Sequence, residues 1–374
     1  MKFIDCSYNE FVNKIENNRI IQFGASTGWD YYASVFPDIY SEIVEKTDYI
    51  VDNNNDKVGT HWDVVGKRIE IKSPDAICKE KSPIVLIVVR LGFQDKICEQ
   101  LLKMELPECA ECYSLQLMIG TDEKVDNRCV GIYFKEHTKK QIPAKIHSFW
   151  FSGEEKPDKY KKCIDSWYKY CPDYEICEWN CDNYDVYQNK YMQQALECRK
   201  WAFVSDYARL DVIYQFGGFY FDMDVELLAP IDEMRNATSF FCRQNDGTLD
   251  LGSGFGAVKS NVLIKQLLNA YNDLEFMKND GTMDMLPQPS RLMPVFYKYG
   301  VKRTHDSQML DEILILSNDY FTCIHGAPDK WNWKGTELGI HWHNAGWMSV
   351  EKRQMMEEDQ LIKQQLITNY FTGE

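Results

Sequence analysis

Several things are missing from this sequence, and each absence excludes something. No stretch of the 374 residues approaches the ~18–20 uninterrupted apolar residues that span a bilayer. The first ten residues carry Asp5 and Glu10 where a secretory leader needs a basic start and an apolar run, so a cytoplasmic location is expected. Basic residues are short: 42 Lys and Arg stand against 57 Asp and Glu, a formal net charge of −15. That balance excludes a nucleic-acid partner, because affinity for phosphate backbones comes largely from Lys and Arg. Cys109 to Cys112 is the one Cys-x-x-Cys, and Cys177 with Cys181 is a loose second pair, too loose for a zinc ribbon. The 13 cysteines are odd in number and irregular in spacing, which points to reduced, scattered thiols instead of a disulfide framework. There is no internal repeat and no low-complexity tract.

What is present is enough for two folded domains. Hydrophobic residues make up 44% and charged residues 26%, so each domain can bury a core. The N-terminal part alternates strands and helices. Ile20–Phe23 and Asp48–Asp52 read as strands, and the six apolar residues Ile84–Val89 read as a strand buried on both faces. Between them, 29–44 has helical spacing interrupted by Pro37, and Gln94–Met104 is helix-like. This order predicts a parallel, Rossmann-like sheet. The turn after the first strand has Gly24 and Gly28 but not the full G-x-G-x-x-G fingerprint. Asp52 sits where a ribose-binding acid would sit. Cofactor binding and a nucleotide-free positioning role both remain open for this domain. A boundary is expected near residue 140. There 135–162 holds eight lysines against four acids, either a solvated face or a patch for an anionic membrane surface or a lipid-diphosphate acceptor.

The stretch from Ala202 to Glu226 carries the chemistry. Phe203, Tyr207, Leu210, Ile213 and Tyr214 form a helical stripe, and Asp206 and Arg209 are three apart, so Ser205, Asp206 and Arg209 lie together. Gly217-Gly218 ends the helix. Phe219-Tyr220-Phe221 is a short strand, and Asp222 and Asp224 at its end are expected to face the same side. Two such carboxylates make a hard-oxygen site suited to Mg2+ or Mn2+, whose open positions substrate phosphates can fill. Unpaired acids directly after an apolar strand are costly unless a cation compensates them.

This pattern resembles glycosyltransferase family 32, the group with Och1-like mannosyltransferases and capsular-polysaccharide transferases. It is similar also to the glucosyltransferase domain of large clostridial toxins. The resemblance is carried by Ser205, Asp206, Arg209, Gly217, Gly218, Tyr220, Asp222 and Asp224. Upstream, Ile142-Pro143 through His147 to Trp150, then Ser166-Trp167 and Pro172–Glu175, continue it. It covers about 142–260, weakens toward the C-terminus and is absent before 140.

The resemblance implies residues 141–374 as a GT-A type α/β catalytic domain, preceded by residues 1–140 as a small Rossmann-like accessory domain. It also implies metal-dependent, retaining transfer of a hexose from a nucleotide-sugar donor, UDP-hexose by analogy. The acceptor would be a glycan or lipid-linked glycan in surface or capsular polysaccharide synthesis, with possible peripheral contact at the inner membrane face. Carried over by position, His147, Trp150, Asn183, Ser205, Asp206, Arg209, Gly218, Tyr220, Asp222 and Trp347 would bind the donor, Trp150 by stacking on the base. Asp206, Arg209, Asp222 and Asp224 would be the catalytic group. Asp224 and Asp222, with His341 and His343 from the segment Gly339–Trp347, would hold Mn2+ or Mg2+. Gly346 stands where the family usually has serine. Glu351–Tyr370 is helix-like and structural. The alternatives are a catalytically inactive nucleotide- or carbohydrate-binding scaffold and, further off, an NAD-dependent sugar oxidoreductase.

Overall fold

The computed structural model describes residues 1–4, 6–25, 33, 36–64, 66–89, 91–118, 131, 133, 134, 138–244, 247–321 and 335–342. The chain divides into two units: one within Met1–Lys124 plus Lys302–His305, the other within Val125–Val301 and Asp306–Glu374. Both are mixed α/β, with sheets rich in parallel pairs.

The first unit runs β1 (Lys2–Phe3), α1 (Tyr8–Ile15), β2 (Ile20–Phe23), α2 (Pro37–Lys46), β3 (Thr47–Val51), β4 (His61–Val64), β5 (Lys67–Lys72), β6 (Ile84–Ile87), α3 (Leu91–Lys103), β7 (Glu111–Ser114) and α4 (Leu115–Met118). Its sheet has the order β1-β7-β6-β2-β3-β5-β4, parallel throughout except for the β4 edge. The central strands β2 and β6 are buried at every position; β6 is an unbroken apolar run, while in β2 the buried Gln22 donates its amide to the Thr47 hydroxyl of β3. Ser7 and Glu10 start α1 with a reciprocal capping box. Pro37 marks a break in the helical spacing of 29–44, with Phe36 before it outside the helix. It opens α2 at the first turn, where its missing N–H costs nothing.

The second unit runs β8 (Lys145–Phe149), α5 (Asp158–Tyr170), β9 (Glu175–Trp179), α6 (Lys190–Glu197), α7 (Trp201–Phe216), β10 (Gly218–Tyr220), β11 (Val225–Leu227), β12 (Ser239–Cys242), β13 (Phe255–Ala257), α8 (Val262–Asn269), α9 (Gln288–Lys298), β14 (Gln308–Leu310), β15 (Ile313–Leu316) and β16 (Gly339–His341). Seven strands form a mixed sheet ordered β14-β15-β12-β13-β10-β8-β9, and β11 pairs with β16 in a separate antiparallel ribbon. Phe219, Phe221, Phe240, Trp167 and Phe321 sit in the core beneath these elements. Trp167 donates its indole N–H to the Val225 carbonyl at 2.8 Å, and the Ser166 hydroxyl accepts from Leu227 N at 2.8 Å. The Ser-Trp pair of α5 thus braces one edge of β11 while β16 holds the other.

Candidate active site

Helix α7 is buried nearly all round, including Asp206, Arg209 and Asp211, so the apolar stripe read from the sequence is only part of its covered surface. The chain leaves it through Gly217 (φ 67°) and Gly218 (φ 112°), left-handed values that favour glycine. Space demands glycine as well: a Cβ on Gly217 would lie 2.7 Å from Lys259 N, and one on Gly218 2.8 Å from the Lys145 carbonyl.

His147 secures this corner. Trp179 donates its indole N–H to His147 Nδ1 at 3.0 Å, so Nε2 carries the ring proton and donates it to the Gly217 carbonyl at 3.0 Å. Burial lowers the His147 pKa to about 4, so the ring is neutral. Both ring nitrogens are engaged within the protein.

The Asp-x-Asp pair corrects the sequence expectation in one respect. Strand β10 ends at Tyr220, and Asp222 and Asp224 lie in a turn that Val225 N closes onto the Asp222 carbonyl at 3.0 Å. A turn, not the pleat of a strand, brings the two carboxylates to one side. Arg209 reaches them from α7. Its guanidinium lies 3.4 Å from Asp206 Oδ1 and 3.3 Å from Asp222 Oδ1, and stacks over the Tyr220 ring at 4.9 Å. Tyr220 donates its hydroxyl to Asp222 Oδ1 at 2.6 Å. Burial pushes the Asp206 carboxyl up to about 7, against the downward pull of Arg209. Desolvation outweighs the ion pair here because the carboxyl is almost wholly enclosed.

His341 completes the group from a distant part of the chain. In the β11–β16 ribbon His341 is the register partner of Val225, next to Asp224. Trp342 N extends the ladder by donating to the Asp224 carbonyl at 3.0 Å, and its indole donates to Glu226 at 3.1 Å. His341 Nε2 lies 3.3 Å from Asp224 Oδ1 and 4.0 Å from Asp222 Oδ2, and Nδ1 lies 3.1 Å from Asp250 Oδ2. Burial alone would lower its pKa, but Asp224 and Asp250 raise it well above the ordinary 6.5. One ligand atom each from Asp222, Asp224 and His341 fall within 4.8 Å of one another. Two carboxylate oxygens and an imidazole nitrogen at that separation fit a divalent cation with further positions open to phosphate oxygens.

The other expected site residues are distributed as follows. Trp150 stands just past the carboxyl end of β8, half-buried, with its ring against Tyr160 (5.2 Å between centroids) and its N–H on the Glu154 carbonyl at 2.7 Å. Asn183 is exposed and holds the turn after β9, accepting from Asn180 N and donating to the Glu178 carbonyl. The Ser205 hydroxyl bonds back to the Trp201 carbonyl within α7. His343, Asn344, Gly346, Trp347, the 351–370 tail and the 26–28 part of the glycine loop lie outside the described residues. In the first unit, Asp52 accepts from Ala25 N at 2.7 Å and Asn54 N at 2.8 Å, and pairs with Lys57. Its carboxylate therefore ties down the loop after β2. In the lysine-rich run, Lys145, Lys156 and Lys162 pair with Glu175, Glu178 and Glu226 from outside it, and Lys161 with Glu155 inside it. Cys112 is buried in β7, and the exposed Cys109 thiol faces the Lys81 carbonyl. No helix among the described residues is long and apolar enough to cross a membrane.

Sequence reasoning passed over Asp250 and Gly252, which lie against the carboxylates, and Gln288, which donates to the Asp206 carbonyl at 2.6 Å and the Tyr271 hydroxyl at 3.1 Å. No local pattern marks them; their partners arrive by tertiary contact.

Residues 157–241 match the family described as glycosyltransferase sugar-binding region containing DXD motif, and this stretch holds Asp206, Arg209, Asp222 and Asp224. Inositol phosphoceramide mannosyltransferase 1 of Schizosaccharomyces pombe is 22% identical over 216 residues, covering 54% of this chain and 65% of that protein, so the chain spans less than two thirds of its length. Two solved structures are similar to parts of the chain. The PaToxG glycosyltransferase has a TM-score of 0.35 and 17% identity, covering 46% of this chain and 74% of that one. A glycosyltransferase involved in glycosylation of the major capsid of PBCV-1 has a TM-score of 0.35 and 13% identity, covering 57% and 98%.

Proposed function

We propose that this chain is a metal-dependent, retaining glycosyltransferase of GT-A architecture that moves a hexose from a nucleotide sugar, UDP-hexose, to a glycan or lipid-linked glycan acceptor. The observation that carries the reading is the convergence of Asp222, Asp224 and His341 with Arg209 beside them. Cleavage of the sugar–phosphate bond leaves growing negative charge on the diphosphate, and a bound divalent cation would supply the main counter-charge. The carboxylates favour a hard ion, and the imidazole favours Mn2+ over Mg2+.

The chain's own residues do the rest. Arg209 is held by Asp206 and Asp222 and by the Tyr220 face, so its guanidinium is fixed beside the acids that would hold the ion and could meet growing charge there without reorganisation. Asp206, with its pKa near neutrality, can accept from or donate to a sugar hydroxyl. Tyr220 pins one oxygen of Asp222 and leaves the other toward Asp224 and His341. The fission-yeast relative is named a mannosyltransferase for inositol phosphoceramide, which supports hexosyl transfer and a lipid-borne acceptor. The process we assign, synthesis of surface or capsular polysaccharide, follows from the family resemblance of residues 142–260.

The test is a donor screen. The full-length protein is incubated with Mn2+ and UDP-glucose, UDP-galactose, UDP-N-acetylglucosamine or GDP-mannose, and nucleoside diphosphate release is followed by chromatography. Slow release from a UDP-hexose, dependent on Mn2+ and lost on EDTA treatment, is expected, with the freed sugar appearing first as the donor's anomer by NMR. Tight donor binding with no release from any donor would replace this reading with the inactive scaffold.

A further inference from the structure

We infer that Asp250 is a positioning residue for the metal: it sets the tautomer and orientation of His341 so that Nε2 faces the ion. The inference rests on the metal reading above. An imidazole can ligate only through the nitrogen that carries no proton. His341 Nε2 points at Asp224 Oδ1 (3.3 Å) and Asp222 Oδ2 (4.0 Å), and Nδ1 points away from them, at Asp250 Oδ2 (3.1 Å). To ligate an ion Nε2 must give up its proton, and Asp250, which only accepts, keeps the other proton on Nδ1, so Nε2 is the nitrogen presented to an ion held by the two acids.

Asp250 is itself held. Its Oδ1 accepts from Gly252 N at 2.9 Å, and its backbone N donates to the Cys242 carbonyl of β12 at 3.0 Å. The Gly252 carbonyl in turn accepts from Asp222 N at 3.0 Å. One short loop, 250–252, therefore orients His341 through a side chain and Asp222 through the backbone.

Asparagine at this position makes the sharpest test. Gly252 N–H claims one side-chain oxygen of residue 250. An asparagine would keep its single oxygen there and turn its NH2 toward His341 Nδ1, which moves the ring proton to Nε2 and blocks ligation. The experiment uses the full chain, stripped with EDTA and then saturated with UDP. Mn2+ affinity is read from the EPR signal of free Mn2+ for wild type, Asp250→Asn and His341→Ala, with melting temperatures measured in EDTA. Asp250→Asn is expected to weaken Mn2+ about 10- to 100-fold. Its melting temperature should stay near that of wild type, and 15N histidine spectra recorded with diamagnetic Mg2+ and UDP in place of Mn2+ should show His341 as the Nδ1–H form in wild type and the Nε2–H form in the variant. Mn2+ affinity within about twofold of wild type in Asp250→Asn, with a loss in His341→Ala, overturns the role of Asp250 and leaves the metal reading standing. Unchanged affinity in both variants overturns the metal reading and this inference with it. Should the asparagine variant not fold, Asp250→Ser carries the same comparison.

Discussion

Acidification should weaken the second unit through His147, by an amount that the geometry sets. The ring is buried, accepts from Trp179 and donates to Gly217, and its pKa falls from 6.5 to about 4. Between those values the unfolded chain binds a proton that the folded chain refuses. Stability therefore rises with pH across this window and falls as pH drops through it. From pH 7 to pH 5 the loss from this one group is about 2 kcal/mol. Asp206 works in the opposite direction. Its folded pKa, about 7, lies above the unfolded one, so the folded form takes up the proton first and gains stability on acidification. The two partly cancel in the whole protein, so a difference measurement is needed. His147→Gln keeps an amide able to donate to Gly217 but cannot be protonated, and Asp206 is common to both proteins. Urea unfolding of wild type and His147→Gln at pH 7 and pH 5 should show the stability gap between them shrinking by about 2 kcal/mol at the lower pH. Curves that stay parallel would refute the neutral, doubly bonded histidine.

Three further outcomes test the site. Asp224→Asn should abolish Mn2+-dependent transfer and leave the melting temperature in EDTA nearly unchanged, since one of two neighbouring negative charges is removed along with the ligand; turnover within a factor of two of wild type would defeat the assignment. Gly252→Ala should keep the backbone but place a Cβ 2.6 Å from Asp222 Oδ2 and 3.2 Å from His341 Cε1, so Mn2+ affinity should drop while circular dichroism stays the same. Trp150→Ala should weaken UDP binding roughly 5- to 150-fold if the indole stacks on the base, by calorimetry beside a melting curve; a large fall in melting temperature with unchanged UDP affinity assigns Trp150 to packing against Tyr160 instead.

Much of the site could be read in the sequence because its central piece is contiguous. Helix α7, the Gly-Gly corner and the two aspartates follow one another within 25 residues, and helical period and glycine chemistry place Asp206 beside Arg209 without tertiary information. The alternating pattern of the first unit was legible for a similar reason, since its buried central strands are largely apolar, as in the unbroken run of β6. The geometry of the aspartates was not. Pleat alternation assumed a strand continuing past Phe221, whereas Asp222 gives its N–H to Gly252 and its carbonyl to Val225. Pro37 was ambiguous because the same residue can end one helix or begin the next. Asp250 was invisible since an acid in a loop has no period, and only the arrival of His341 gives it a partner.

The small β11–β16 ribbon makes the ion a clasp. His341 reaches the aspartates only while three residue pairs of that ribbon stay zipped, and opening of β16 would carry His341 away and leave the large sheet intact. Any ligand that binds the zipped form alone adds RT ln(1 + [L]/Kd) to the opening free energy, about 2.7 kcal/mol at a hundredfold excess over Kd. Amide exchange at Ile340, His341 and Trp342 should therefore slow about a hundredfold when Mn2+ and UDP are present, with the strands of the large sheet little affected. The order of this segment would then report donor occupancy, and the same ribbon that completes the site would time its opening for product release.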